Sequence, residues 1–162
     1  MTEEAKPEIN LRLADERDVR AIAEFNRAMA RETEALELSF ETLMAGVGNL
    51  LAQAQYGFYV IAEAVAENGT EAVGSLLVTY EWSDWRDGLF WWIQSVYVTP
   101  EFRRRGVYRR LYEFVKTLAA RDPRVRGFRL YVERQNTLAQ QTYERLGMSE
   151  THYLMYEELR ES

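Results

Sequence analysis

Apolar positions along this chain change period several times, and each change marks an element. Residues 9–13 alternate apolar and polar, the period of a short strand with one buried face. Asp15 then offers a helix N-cap, and Val19, Ile22, Ala23, Asn26 and Met29 recur at helical spacing. Ser39 caps a second helix whose buried stripe is Leu43, Met44, Val47, Leu50 and Leu51, despite Gly46 and Gly48 inside it. Strands follow at 58–63, 72–80 and 89–98. Asn68-Gly69 makes a hairpin-type turn between the first two. The segment 81–88 joins the last two. Pro100 ends the third strand, because proline donates nothing to a ladder.

Beyond Pro100 the period becomes helical. Val107, Leu111, Phe114, Val115 and Leu118 lie on one face of a helix over 106–120. Phe128, Leu130 and Val132 share one face of a strand over 126–133. Asn136 caps a last helix through Leu146, and Gly147 ends it. A closing strand is expected at 151–157. The order β-α-α-β-β-β-α-β-α-β predicts an α/β protein of the mixed α+β kind, a mixed sheet with helices on its faces. No repeat or linker divides the chain, so a single domain over 1–162 is expected, with 1–8 frayed.

Composition narrows the chemistry. A chain of 162 residues can bury a real core without staples. There is no cysteine, which excludes a disulfide framework, a thiolate metal site and a cysteine nucleophile. His152 is the single histidine, so no multi-histidine metal cluster is expected. No apolar run is long enough to span a bilayer, and the N-terminus does not read as a signal peptide, so a cytoplasmic protein without a membrane partner is expected. The net charge of -6 argues against a nucleic-acid partner, because phosphate backbones need a basic surface. Yet Arg103, Arg104, Arg105, Arg109 and Arg110 crowd one short stretch. A basic cluster within an acidic chain suggests a local anionic ligand, although charge runs are often only solvated faces.

The position of that cluster decides its reading. Strand, proline, arginine-rich turn, glycine and amphipathic helix follow in that order. The first amides of a helix have no internal partner. The helix dipole adds about half a positive charge there. A phosphate in this loop would gain both effects, and arginines would add charge-assisted hydrogen bonds. Gly106 lets the backbone approach without a Cβ in the way.

The stretch Val96-Tyr97-Val98-Thr99-Pro100-Glu101-Phe102-Arg103-Arg104-Arg105-Gly106 resembles the acetyl-CoA-binding motif of the GNAT N-acetyltransferase superfamily. Asn136-Thr137-Leu138-Ala139-Gln140-Gln141-Thr142-Tyr143-Glu144-Arg145-Leu146-Gly147-Met148 resembles a second motif of that family, in the expected order. The resemblance implies a mixed, mostly antiparallel sheet of about six to seven strands with helices on both faces. It implies acetyl-CoA as cosubstrate, no metal, and acetyl transfer to a primary amine of a small molecule or peptide. Carried over by position, it has Val96 and Val98 offering backbone groups to the pantetheine arm. Arg103, Arg104, Arg105, Gly106, Val107, Tyr108 and Arg109 would wrap the diphosphate, mainly by amides. Asn136 would contact the cofactor arm, and Tyr143 would protonate the departing thiolate. Tyr108 stands where the family has a small residue, so its side chain should turn aside or stack.

Direct attack by an amine needs no covalent enzyme intermediate. An alkyl amine of pKa about 10.4 must lose a proton, and the phenol of Tyr143, near 10, matches a thiol well enough for exchange. A tyrosine on an amphipathic helix is also a common core residue. Strict alternation along the third strand turns Trp92, Gln94, Val96 and Val98 inward, with no carboxylate among them. Gln94 would orient a water in a relay. Glu34, Glu37, Glu63, Glu81 and Asp84 are candidate remote bases, and His152 is expected to be structural. Trp82, Trp85, Phe90, Trp91 and Trp92 would form an apolar or cation–π wall for the amine, with Glu34, Glu37 and Asp84 attracting it. The same aromatics also suit core packing or a homodimer contact. Two other readings stand beside the enzyme. One is a catalytically weak acetyl-CoA-binding sensor. The other is a nucleotide-binding protein, disfavoured by the lack of a P-loop sequence.

Overall fold

The computed structural model describes residues 7–161. The frayed segment expected at 1–8 therefore lies mostly outside the described residues. Residues up to Leu130 form one compact unit and residues from Tyr131 onward a second.

The first unit is a five-stranded sheet flanked by helices. Its elements are β1 (Ile9–Leu13), α1 (Val19–Glu34), α2 (Phe40–Leu51), β2 (Gly57–Ala66), β3 (Gly69–Ser83), β4 (Gly88–Val98), α3 (Val107–Ala119) and β5 (Val125–Arg129). The strands lie side by side in chain order. The first four pair antiparallel, and β5 pairs parallel to β4. The count of six to seven strands is thereby corrected to five among the described residues. The strand expected at 126–133 stops at Arg129, and residues 151–157 form no strand. An alternating pattern becomes a strand only when a neighbouring ladder takes up its backbone groups.

The second unit carries α4 (Thr137–Arg145). Asn136 caps it, its Oδ1 accepting from the Ala139 amide at 3.2 Å.

Both faces of the sheet are covered. On one face, Ile22 of α1 and Val47 of α2 pack with Tyr59, Ile61 and Leu77. On the other, Tyr112 of α3 meets Phe128 edge-on, and Phe128 meets Trp91, with ring centroids 6.0 and 6.4 Å apart. Leu111 and Val115 of α3 are fully buried. The chain therefore keeps the expected mixed α/β class with helices on both faces.

The entry to α1 is fixed electrostatically. Arg12 on β1 donates to both oxygens of Asp18, at 2.7 and 2.8 Å, and to Glu63 on β2. Burial opposes the charge on Asp18, but the Arg12 hydrogen bonds prevail and hold its carboxyl below the ordinary range. A depressed folded-state pKa means stability that is present above the unfolded value near 3.9 and lost as pH falls through the folded one. Asp18→Asn should lower stability by roughly 2 kcal/mol at pH 7, since it leaves a partly buried Arg12 underpaired. The gap from wild type should narrow in urea unfolding as pH drops below about 4. A gap unchanged at acid pH would show that the ion pair is not its source.

Gly57 opens β2 at φ +153°, and a Cβ built there would lie 2.0 Å from the Val78 carbonyl oxygen. No rotamer relieves a clash with backbone. Gly57→Ala should cost about 3 kcal/mol in chemical unfolding, at the upper end for overpacking. A cost below about 1 kcal/mol would mean that the β2–β3 ladder shifts freely.

Candidate functional site

The site grows from an irregularity in β4. Leu77 faces Gln94 and Ser75 faces Tyr97, so Leu76 alone opposes the pair Ser95 and Val96. This is a β-bulge, and Ser95 takes φ 46° within it. The extra residue reverses the side-chain parity. Trp92 and Gln94 share a face with Thr79 and Leu77, the α1–α2 face. Beyond the bulge Tyr97 takes over that face, and Val98, opposite Gly74, passes to the α3 face. The expectation that Trp92, Gln94, Val96 and Val98 all turn one way is thereby corrected. Strict alternation holds only while the register is unbroken.

Pairing between β4 and β5 ends at Trp92–Arg129, while β4 itself runs on to Val98. The strands therefore part beside the bulge. Val96 and Val98, expected to offer backbone groups to the pantetheine arm, lie on the part of β4 beyond its pairing with β5. The Val98 carbonyl already accepts from Arg103 Nε at 2.9 Å.

A single turn of 3-10 helix, Pro100–Phe102, leads from β4 into the arginine loop. Arg104 has φ 60° and Gly106 φ 78°, both left-handed. Alternating left-handed residues point successive amides into one concavity, an arrangement that binds anions. Only glycine holds this conformation without cost at Gly106, where a Cβ would meet no protein atom within 4 Å. Helix α3 starts at Val107, and the first helical bond nearby runs from the Arg110 amide to the Gly106 carbonyl at 3.1 Å. Among the described residues, the amides of Arg104, Arg105, Gly106, Val107 and Arg109 donate to no protein acceptor. The N-terminal end of the α3 dipole adds its positive field.

The arginine side chains are less available than their backbone. Arg103 donates to Glu32 on α1 at 2.7 Å and lies over the Tyr97 ring at 5.3 Å. Arg105 lies over Phe102. Arg109 pairs with Glu113, and Arg110 donates to the Ile9 carbonyl on β1. Arg104 is the member of the cluster with no side-chain partner among the described residues. Tyr108 stands in the first turn of α3, with its hydroxyl buried.

Other candidate residues scatter. Gln94 donates to Thr79 Oγ1 at 2.8 Å, which leaves its carbonyl oxygen for another partner. Glu34 ends α1 and lines a cavity of about 230 Å³ together with Ser95 of the bulge, Asn26, Met29 and three leucines. Glu37 is paired with Arg31, whose hydrogen bond holds its carboxyl low. Glu63 is engaged by Arg12 and Glu81 by Arg129. Asp84 Oδ1 accepts the Trp85 amide. Trp82 pairs with Leu89 at the hairpin end of β4, about 20 Å along the strand from Ser95. The structure does not bring Trp82 to the bulge. Asn136 and Tyr143 stand at the start and on the second turn of α4 in the second unit. His152 lies against Tyr153, ring centroids 4.2 Å apart. Among the described residues no group of three histidine, cysteine or acidic side chains could hold a metal, and no helix is long and apolar enough to cross a membrane.

The sequence reading missed Glu32 and Tyr97. The Tyr97 hydroxyl donates to Glu32 Oε1 at 3.1 Å, and its ring stacks on Phe25 at 5.4 Å. Burial, followed by the bond to Glu32, raises the Tyr97 phenol above its usual pKa. Strict alternation along β4 had hidden Tyr97, and no local pattern marks a glutamate whose partners lie 65 and 71 residues away.

Comparison with known proteins agrees with this architecture. The model of the Acetyltransferase (GNAT) family matches residues 17–148. A possible acetyltransferase from Clostridium difficile 630 is 42 % identical, with a TM-score of 0.87 over 95 % of this chain and 99 % of its own. The aminoglycoside N-acetyltransferase AAC(6')-Iy, solved with the bisubstrate analogue CoA-S-monomethyl-acetylneamine, is 20 % identical with a TM-score of 0.72, covering 94 % of this chain and 99 % of its own. A predicted acetyltransferase from Clostridium acetobutylicum, solved with acetyl-CoA, is 16 % identical with a TM-score of 0.74, covering 93 % and 96 %. At such identities the last two show the fold alone. No curated protein matches the chain.

Proposed function

The chain belongs to the acetyltransferase (GNAT) family, and we propose that it moves the acetyl group of acetyl-CoA to a primary amine of a small molecule or peptide. The observation that carries this reading is the concave set of amides of Arg104, Arg105, Gly106, Val107 and Arg109, which donate to no acceptor among the described residues, at the N-terminus of α3 and beside the parted strands β4 and β5. It fits a diphosphate in both charge and donor count.

Bound acetyl-CoA supplies an activated thioester. The residues of this chain divide the remaining work. The amides of Arg104, Arg105, Gly106, Val107, Tyr108 and Arg109 hold the diphosphate, with Arg104 free to add a charge-assisted bond. The backbone of Val96 and the amide of Val98 align the pantetheine arm, the Val98 carbonyl being partly taken by Arg103. Asn136 contacts the arm with whatever hydrogen-bonding capacity its capping role leaves. Tyr143 gives a proton to the departing sulfur. The amine's proton leaves through a water relay oriented by the Gln94 carbonyl oxygen toward the Glu34 carboxylate at the edge of the Ser95 cavity, since arginines already engage Glu37, Glu63 and Glu81. The amine enters through the cavity shared by Ser95 and Glu34, with Trp92 on the same face of β4 as Gln94.

The absence of a carboxylate among Trp92, Gln94 and Tyr97 favours a second reading, an acetyl-CoA sensor with slow turnover. One screen separates the two. Thiol release from acetyl-CoA is followed against polyamines, amino acids, aminoglycosides and peptide N-termini, and CoA affinity is measured alongside. Amine-dependent release supports the transferase. CoA binding without release from any amine supports the sensor, and no binding at all overturns both.

A further inference from the structure

Helix α1 reaches the diphosphate loop through one side chain. The Glu32 carboxylate accepts from the Tyr97 hydroxyl through Oε1 at 3.1 Å and from Arg103 Nη2 through Oε2 at 2.7 Å. Arg103 in turn donates from Nε to the Val98 carbonyl at 2.9 Å and covers the Tyr97 ring at 5.3 Å. Three elements meet here: α1, the end of β4 just past the bulge, and the first residue of the loop. Arg103 is extended, at φ -68° and ψ 154°, and immediately precedes the left-handed Arg104.

We propose that Glu32 is a positioning residue, which clasps Arg103 and Tyr97 and so holds the amides of the loop in their anion-binding arrangement before the ligand arrives. The inference rests on the reading of that loop as the diphosphate site. Its physical content is preorganisation. A loop already fixed in its bound form loses less conformational freedom on binding. The Glu32–Arg103 pair is roughly 40 % exposed on both sides, so its direct contribution to stability should be small. Its effect should appear in ligand affinity.

Simple electrostatics predicts the opposite sign. Removing an acidic residue near a bound diphosphate should tighten binding. Glu113 provides the matched control, because it too pairs with an arginine of this region, Arg109, at 2.8 Å, while among the described residues its carboxylate bonds to neither the bulge nor α1. The experiment measures coenzyme A affinity by titration calorimetry for wild type, Glu32→Gln, Glu113→Gln and Tyr97→Phe, with the melting temperature of each. The clasp predicts about five- to tenfold weaker binding for Glu32→Gln, the equivalent of ordering one or two side chains. It predicts a smaller loss for Tyr97→Phe, which keeps the Arg103 pair and the stack on Phe25. Glu113→Gln should bind as wild type or slightly tighter, and Glu32→Gln should melt within about 2 °C of wild type. Equal or tighter binding by Glu32→Gln overturns the clasp and leaves the loop reading intact. Weakening that tracks a large fall in melting temperature also overturns it, because a general loss of structure would then suffice. Failure of the wild type to bind coenzyme A would instead remove the loop reading, and the clasp with it.

Discussion

Gly106→Val should bind coenzyme A about thirty- to one-hundredfold more weakly than wild type while remaining folded. A β-branched residue at φ 78° is strained by roughly 1–3 kcal/mol. The chain can relieve that strain by turning the peptide over, which would withdraw the amides around it from the concavity. Losing one or two charge-assisted amide bonds is worth about 2–3 kcal/mol, and that sets the expected change in affinity. The fold should survive because a Cβ at this position meets no protein atom within 4 Å. Calorimetric titration and a melting curve check the two halves separately. Wild-type affinity in a folded Gly106→Val protein would show that the ligand is not held by these amides.

Tyr143→Phe should lower the rate constant for acetyl transfer about one-hundredfold and leave coenzyme A affinity unchanged. The low end for general acid catalysis is the right choice, because a thiolate with a pKa near 8.5 is already a fair leaving group. A phenyl ring keeps the apolar bulk of the side chain on α4, so helix and binding should persist. Single-turnover thiol release with saturating acetyl-CoA and a reactive amine is the measurement. A loss under threefold would mean that the sulfur departs without help from this residue, and the proton donor would have to be sought elsewhere. If release falls while affinity falls in parallel, Tyr143 shapes the cofactor arm rather than the proton transfer. The sensor reading makes a different forecast: wild type and variant would be equally slow.

The loop was legible in the sequence because its chemistry is local. Pro100 ends the strand, Gly106 permits a left-handed residue, and the stripe from Val107 to Val115 begins a helix whose first amides have no acceptor within the helix itself. All three follow from residues within one short stretch. Helices α1 to α4 were legible for the same reason, each from its own cap or its own apolar stripe. What failed was whatever depended on a partner. The alternation over 151–157 suggested a strand, but a strand needs a ladder, and none forms there. The strand expected to end at 133 stops at Arg129.

The sequence by itself therefore determined the order of elements as far as the last helix, the mixed α/β class and the left-handed turn before α3, because period, caps and backbone freedom are properties of neighbouring residues. Only the tertiary structure decided which residues face that turn. The bulge at Ser95 shows itself in register with β3, and it turns Tyr97 rather than Val96 toward α1. Glu32 becomes part of the site because packing brings α1 against β4, across a separation of 65 residues that no local pattern records.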